Sequence, residues 1–121
     1  MNATRISIAL LAVVLAFAAC GKADLNQKLI GAWETVGVKC NEQGACDPHG
    51  DPLSIEFRKD GGFVLEGNRF DYALSGRTAT VRLGENVMTM EIIRISADEM
   101  LARTKSSLGL ADIEKYRRKR P

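Results

Sequence analysis

The residues whose chemistry stands out in this sequence are two cysteines, Cys40 and Cys46, which are separated by five residues. In an oxidising compartment two thiols this close in the chain form a disulfide, which would stabilise a small loop by about 2 kcal/mol at best. The same thiols could join His49 and Asp47 in binding zinc, but their spacing is wider than that of the usual zinc-binding pair. We predict the disulfide and no metal, with a zinc site and two free thiols as the alternatives.

No group of residues in the sequence predicts catalysis. His49 is the single histidine, and no serine or second base lies near it to form a nucleophile pair. The neighbouring carboxylates Asp98 and Glu99 are expected in a turn, where adjacent side chains point in different directions. Gly61 and Gly62 precede neither a helix nor a Lys-Ser/Thr pair, so they do not predict a phosphate-binding loop. We therefore expect no catalytic residues, no cofactor and no enzymatic activity.

The third cysteine, Cys20, ends a segment with the three parts of a secretion signal. Arg5 supplies a positive charge, the apolar run 6–17 follows, and two alanines precede the cysteine. The run is shorter than the roughly 17 residues that a membrane span needs. Its end, Phe-Ala-Ala-Cys, resembles the lipobox of bacterial lipoproteins, with Phe17 where that family usually has Leu. A signal cut ahead of an ordinary cysteine and an uncleaved anchor are the alternatives.

The lipobox resemblance implies that residues 1–19 are a signal peptide and that Cys20 becomes a lipidated N-terminus. Diacylglycerol on its sulfur and a further acyl chain, such as palmitate, on its amino group would anchor the protein, since three chains hold far more firmly than one. Gly21 follows the cysteine, whereas an Asp there retains enteric-type lipoproteins in the inner membrane. The resemblance therefore implies an outer-membrane lipoprotein that faces the periplasm.

The rest of the chain predicts a short tether and one small domain. Residues 20–28 comprise the lipidated tether and the start of a short helix over 25–30, with Asp24 and Gln27 arranged as a capping box. Residues 29–121 form the domain. The 17 basic and 15 acidic residues of the chain nearly balance, which argues against a nucleic-acid partner.

Alternating apolar and polar residues divide the domain into about eight short strands. The predicted strands cover residues 33–39, 53–58, 63–65, 70–74, 78–83, 88–95, 99–104 and 112–119. Glycine-containing turns join most of them, which is typical of an antiparallel meander. The alternation changes phase at Ile92 and Ile93, so we predict a β-bulge there.

Three short motifs resemble those of small bacterial lipocalin-like barrels. A G-x-W pattern ends at Trp33, an F-x-x-D-G-x-F hairpin spans 57–63, and a basic and aromatic strand closes the domain at 115–118. The resemblance implies an all-β, antiparallel up-and-down barrel of about eight strands after a short N-terminal helix. It also implies that Arg117 or Arg118 packs over Trp33, a cation–π contact worth about 0.5–2 kcal/mol.

The lipocalin-like resemblance further implies a module that binds a small apolar ligand. The side chains expected to line its cavity are Trp33, Phe57, Phe63, Leu74, Met88 and Met90. Because strands this short make a barrel that side chains can fill, the alternative is an envelope protein-interaction or inhibitor module without a ligand. Its contact surfaces would be the loop 40–46 and the basic tail 115–120. We expect the loop 105–110 to be a simple long connection, with a cap on a barrel mouth or a membrane contact through Leu108 and Leu110 as the alternative.

Overall fold

The computed structural model describes residues 25–48 and 50–120. The predicted signal segment, Cys20 and the predicted capping residue Asp24 lie outside these residues, as does His49. Within the described part, a five-residue helix, α1 (25–29), precedes nine strands. The strands are β1 (Gly31–Val38), β2 (Asp47–Pro48), β3 (Ser54–Phe57), β4 (Gly62–Leu65), β5 (Asn68–Ser75), β6 (Thr78–Leu83), β7 (Asn86–Ile95), β8 (Glu99–Ser106) and β9 (Ala111–Arg118).

Eight of these strands close into an antiparallel up-and-down barrel. From β3 to β9 each strand pairs with the next one along the chain, and β1 closes the sheet by pairing with both β3 and β9. The two-residue β2 is a side branch that pairs with the end of β1. The predicted all-β barrel of about eight strands with one short helix is confirmed for the described residues.

Two β-bulges interrupt the strand register of the barrel. The β7–β8 pairing shifts between Ile92 and Arg94, which confirms the bulge predicted from the change of phase. The second bulge, which the sequence analysis did not predict, lies in β1 between Thr35 and Gly37 where that strand pairs with β9. Because of this second bulge, Gly37 faces outward although Thr35, two residues earlier, is buried inside.

The closed end of the barrel, where β1 begins and β9 ends, is filled by α1 and the single tryptophan. Leu29 and Trp33 are fully buried, and the Trp33 indole donates a hydrogen bond to the Leu29 carbonyl at 2.9 Å. The guanidinium of Arg118 lies over the Trp33 ring, 4.0 Å from its centroid. The predicted contact with Trp33 is therefore made by Arg118, whereas Arg117 lies on the outer face in an ion pair with Glu34.

The middle of the barrel is packed with side chains. Phe57 makes edge-to-face contacts with Phe63 and Tyr72, each with ring centroids 5.1 Å apart. Buried residues of the later strands complete this core, namely Ala79, Val81, Met90, Ile92, Met100 and Ala102. Space for a ligand must therefore be sought at the other end of the barrel.

Candidate functional site at the open end of the barrel

The open end of the barrel, opposite α1, carries the loop 39–53 and the turn 107–110. A pocket of about 430 Å³ opens there between the ends of β7, β8 and β9. Its lining combines apolar, hydroxyl and charged side chains: Lys39, Met88, Thr104, Ser106, Leu110, Ala111, Asp112 and Glu114. We call this the open-end pocket.

The strand period explains why polar residues line the pocket. In β8, Thr104 and Ser106 occupy the inward positions that follow the buried Ala102. In β9, Asp112 and Glu114 precede the buried Tyr116 on the inward face. The inner wall of these two strands thus changes from apolar at the closed end to polar at the open end. The cross-strand pairs Thr104–Asp112 and Ala102–Glu114 bring the two polar sets together.

Two hydroxyl groups in the pocket wall are buried without a hydrogen bond. Thr104 Oγ1 and Ser106 Oγ find no partner at normal hydrogen-bond geometry within residues 25–48 and 50–120, although the Thr104 hydroxyl lies close enough to the Tyr116 phenol to lower its pKa. Most buried hydroxyls in proteins have a partner, and leaving one without costs about 1–3 kcal/mol. Both oxygens are shielded from water, so a ligand in the pocket reaches either of them only after the side chain turns about its χ1 bond.

The carboxylates of the pocket are held at different depths. Asp112 Oδ2 accepts a hydrogen bond from the Lys39 backbone N–H at 3.2 Å, near the mouth. Deeper in the barrel, Glu114 lies beside the Tyr116 phenol. Burial raises the pKa of Tyr116, the nearby charge of Glu114 acts in the same direction, and the hydroxyls of Thr104 and Thr35 oppose the shift. Tyr116 therefore stays protonated at neutral pH as a member of the buried core.

The structure separates the six residues that were predicted to line a ligand cavity. Met88 lines the open-end pocket. Trp33, Phe57, Phe63 and Met90 belong to the packed core with at most 1% exposure, and Leu74 packs against that core. The polar members of the pocket were missed by the sequence analysis, although Thr104 and Ser106 lie in phase with apolar residues of the same strand.

An apolar rim borders the open-end pocket on the turn between β8 and β9. Leu108 and Leu110 are 71% and 70% exposed, which is unusual for large apolar side chains. The turn is attached to β7 by the Ser107 N–H, which donates to the Val87 carbonyl at 2.8 Å. Of the two leucines proposed to cap a barrel mouth, Leu110 is the one that lines the pocket.

Cys40 and Cys46 form the predicted disulfide, with an S–S distance of 1.96 Å. The disulfide removes both thiolates from the alternative zinc site, and the His49 side chain lies outside the described residues. Across residues 25–48 and 50–120, no cluster of three or more His, Cys, Asp or Glu side chains could hold a metal ion.

The disulfide loop 40–46 folds back over the outer face of the barrel. Glu42 forms an ion pair with Arg103, and the Gln43 carbonyl accepts a hydrogen bond from Arg94 at 3.3 Å. Cys46 packs directly on Gly37, where a Cβ atom would lie 2.7 Å from the Cys46 Cβ. Since these contacts are made on the outer wall, the loop braces the barrel beside the pocket.

The basic tail 115–120 begins beside the disulfide loop, where Lys115 pairs with Gly37, and its later cations reach the closed end and make contacts within the domain. Besides Arg117 and Arg118, Lys119 Nζ is 3.2 Å from the Ser54 hydroxyl, and Arg120 is 3.8 Å from an Asp98 oxygen. The tail therefore closes the barrel as well as presenting positive charge.

Among the described residues, no helix is long and apolar enough to cross a membrane. Comparisons of the chain with protein-family models, with curated proteins and with solved structures found no match. What the protein does must therefore be argued from its own residues.

Proposed function

We propose that this protein is a membrane-tethered bacterial lipoprotein, anchored by acyl chains on Cys20, whose barrel binds a small ligand without transforming it. The observation that supports binding most strongly is the open-end pocket, in which two buried hydroxyls have no partner among the described residues. The apolar side chains of Met88 and Leu110 lie in the same pocket. A ligand with one polar and one apolar part fits this lining better than a purely apolar molecule.

The proposed anchor lies at the end of the barrel opposite the pocket. Helix α1 begins at residue 25 and fills the closed end, so the five steps from Cys20 to Leu25 reach about 17 Å at most. A strand of eight residues such as β1 spans about 26 Å along its own axis. This geometry favours an open end that points away from the bilayer, so the ligand would enter from the aqueous side.

The location in the envelope is proposed from the sequence around the anchor. Cys20 is the cysteine left over beside the Cys40–Cys46 disulfide, in keeping with its use as a lipidation site. Gly21 at the following position favours the outer membrane, with the domain in the periplasm. The disulfide itself is compatible with that oxidising compartment.

The anchor can be tested separately from ligand binding. Globomycin, which blocks the lipoprotein signal peptidase, should cause the unprocessed precursor to accumulate. The Cys20→Ala protein should leave the membrane fraction, while a Cys40→Ala/Cys46→Ala double variant should stay in it. Membrane association of Cys20→Ala equal to that of the wild type would disprove the lipid anchor.

Binding can be tested by native mass spectrometry of the full lipidated protein extracted from envelopes. We expect a co-purifying small molecule on the wild type and its loss from Ser106→Trp, whose enlarged side chain would occupy the pocket from an inward position of β8. Ala73→Trp is the matched control, because Ala73 is exposed on β5 and does not line the pocket. An unliganded wild type, or equal occupancy of both variants, would contradict binding at this pocket.

A second candidate function, docking of another envelope protein, is supported by the two exposed leucines of the turn 107–110. A substitution at Leu108 distinguishes protein docking from ligand binding, because Leu108 is exposed but does not line the pocket. If the turn is a docking surface, Leu108→Ser should abolish in-cell crosslinking to one specific envelope protein and leave small-molecule occupancy unchanged. An unchanged crosslinking pattern would exclude this second function.

A further inference from the structure

We infer that the ligand of the open-end pocket carries a protonated amine next to a short apolar group, an inference that rests on the binding function proposed above. The pocket wall combines hydroxyls without partners, carboxylates and apolar side chains within one small space. Each of these three features selects a different property of the ligand.

The arrangement of acceptors selects a hydrogen-bond donor. Thr104 and Asp112 are directly opposite each other on β8 and β9, so their Cβ atoms are about 5 Å apart. Ser106 follows Thr104 on the same inward face. A carboxylate can only accept hydrogen bonds, and each hydroxyl also offers two lone pairs. An ammonium group, with three N–H donors and no acceptor, can donate to the Asp112 carboxylate, and to a hydroxyl once that side chain turns toward the pocket.

The charge of the pocket disfavours an anionic head group. Its lining holds two carboxylates, Asp112 and Glu114, against the single ammonium of Lys39. Among the described residues, Asp112 takes part in no ion pair and accepts its hydrogen bond from a backbone N–H. A ligand carboxylate would meet two like charges in a partly buried site, whereas an ammonium would make charge-assisted hydrogen bonds.

The apolar side chains of the pocket select an apolar group next to the amine of the ligand. Met88 lies on the inward face of β7, and Leu110 extends the apolar surface to the rim. The core residue Met90 closes the barrel below Met88 with 1% exposure, so a long chain cannot pass into the interior. The pocket therefore suits an amine with a short alkyl or aromatic group.

The test compares three probes of equal chain length: hexylammonium, hexanol and hexanoate. The full lipidated protein is reconstituted in nanodiscs, and the methionine methyl groups are labelled with ¹³C for NMR titration at neutral pH. Met88 reports on the pocket, while the buried Met90 and Met100 serve as internal controls. We expect the Met88 signal to shift with hexylammonium at concentrations on the order of tenfold below those needed for hexanoate.

Variants identify the charge that is responsible. Asp112→Asn keeps an acceptor for the Lys39 N–H and should weaken hexylammonium binding on the order of tenfold, with little effect on hexanol. Asp71→Asn, which removes an exposed carboxylate on β5, should change neither affinity. Unchanged Met90 and Met100 signals would show that each variant is folded.

The outcomes distinguish the inference from the proposed function. If hexanol or hexanoate binds as tightly as hexylammonium, or if Asp112→Asn weakens all three probes equally, the amine inference is overturned and the binding function remains. If none of the three probes shifts the Met88 signal, both the inference and small-ligand binding at this pocket are overturned.

Discussion

The closure of the barrel by Arg118 predicts a large difference between two neighbouring arginines. The Arg118 guanidinium lies over Trp33 and donates to three backbone carbonyls, those of Ile30 at 2.7 Å, Lys28 at 2.6 Å and Ala97 at 2.8 Å. Partial burial of the Arg118 guanidinium lowers its pKa. Arg117 is 61% exposed in its side chain and makes one ion pair, with Glu34.

The cost of replacing each arginine by lysine follows from these contacts. An ammonium on a lysine stem keeps the charge, but it cannot present a planar fork to three carbonyls. Arg118→Lys would lose about two hydrogen bonds of roughly 1 kcal/mol each, together with part of a cation–π contact worth about 0.5–2 kcal/mol. We expect a loss of about 2–4 kcal/mol for Arg118→Lys and less than about 1 kcal/mol for Arg117→Lys, because exposed ion pairs contribute little.

The assay is chemical unfolding of the full chain, followed by tryptophan fluorescence. Trp33 is the only tryptophan in the sequence, so the signal reports directly on the closed end of the barrel. In thermal unfolding, a loss of 2–4 kcal/mol corresponds to a decrease in Tm of about 10–25 °C for a domain of this size. Equal stability of the two variants within about 0.5 kcal/mol would refute the role assigned to Arg118.

Three further predictions concern the disulfide loop and the buried Tyr116. Replacing Cys40 and Cys46 by Ser should lower the free energy of unfolding by about 2 kcal/mol. Dithiothreitol should lower the stability of the wild type but not that of the double variant. Equal stability of wild type and variant would contradict a bracing role. Gly37→Val should lower the free energy of unfolding by about 1–3 kcal/mol in denaturant, because the valine side chain would collide with Cys46. The same substitution should cost less in a Cys46→Gly background, and a Gly37→Val variant as stable as the wild type would contradict this packing. Because the pKa of Tyr116 is raised in the folded state, the unfolded chain loses the phenolic proton at a lower pH than the folded protein does. The protonated phenol therefore adds to the free energy of unfolding in full below about pH 10, and this addition is lost as the pH rises above that value. Between about pH 9 and 11, the free energy of unfolding should therefore decrease more steeply with pH for the wild type than for Tyr116→Phe. An equal decrease in both proteins would contradict the raised pKa.

Much of the barrel could be predicted because its signals are local. The alternation of apolar and polar residues over 78–83 indicates which side chains face inward. Glycines such as Gly76 and Gly84 adopt the positive φ angles that the turns require. The β7 bulge was visible as a change of phase between neighbouring residues. The disulfide followed from the short separation of two cysteines. None of these features requires knowledge of a distant part of the chain.

The last strand shows where this reasoning stops. In β9 the two large apolar residues, Ile113 and Tyr116, are three positions apart and so fall on opposite faces. Sequence alternation alone could not decide which face of β9 points inward, and hence whether Arg117 or Arg118 meets Trp33. Pairing with β8, which aligns Tyr116 with the buried Met100, determines that Asp112, Glu114 and Arg118 face inward.

The sequence by itself therefore determined the eight barrel strands, their turns and the disulfide, since each depends on residues close together in the chain, whereas the closed architecture was implied by the resemblance of short motifs. Only the tertiary structure decided that the middle of the barrel is filled, that Gly37 faces the disulfide loop, and that a polar pocket lies at the end opposite α1. These features depend on strand register, and a shift of one residue reverses which side chains face the interior. Register is set by pairing between strands that are distant in the sequence, as with the closure of β1 against β9.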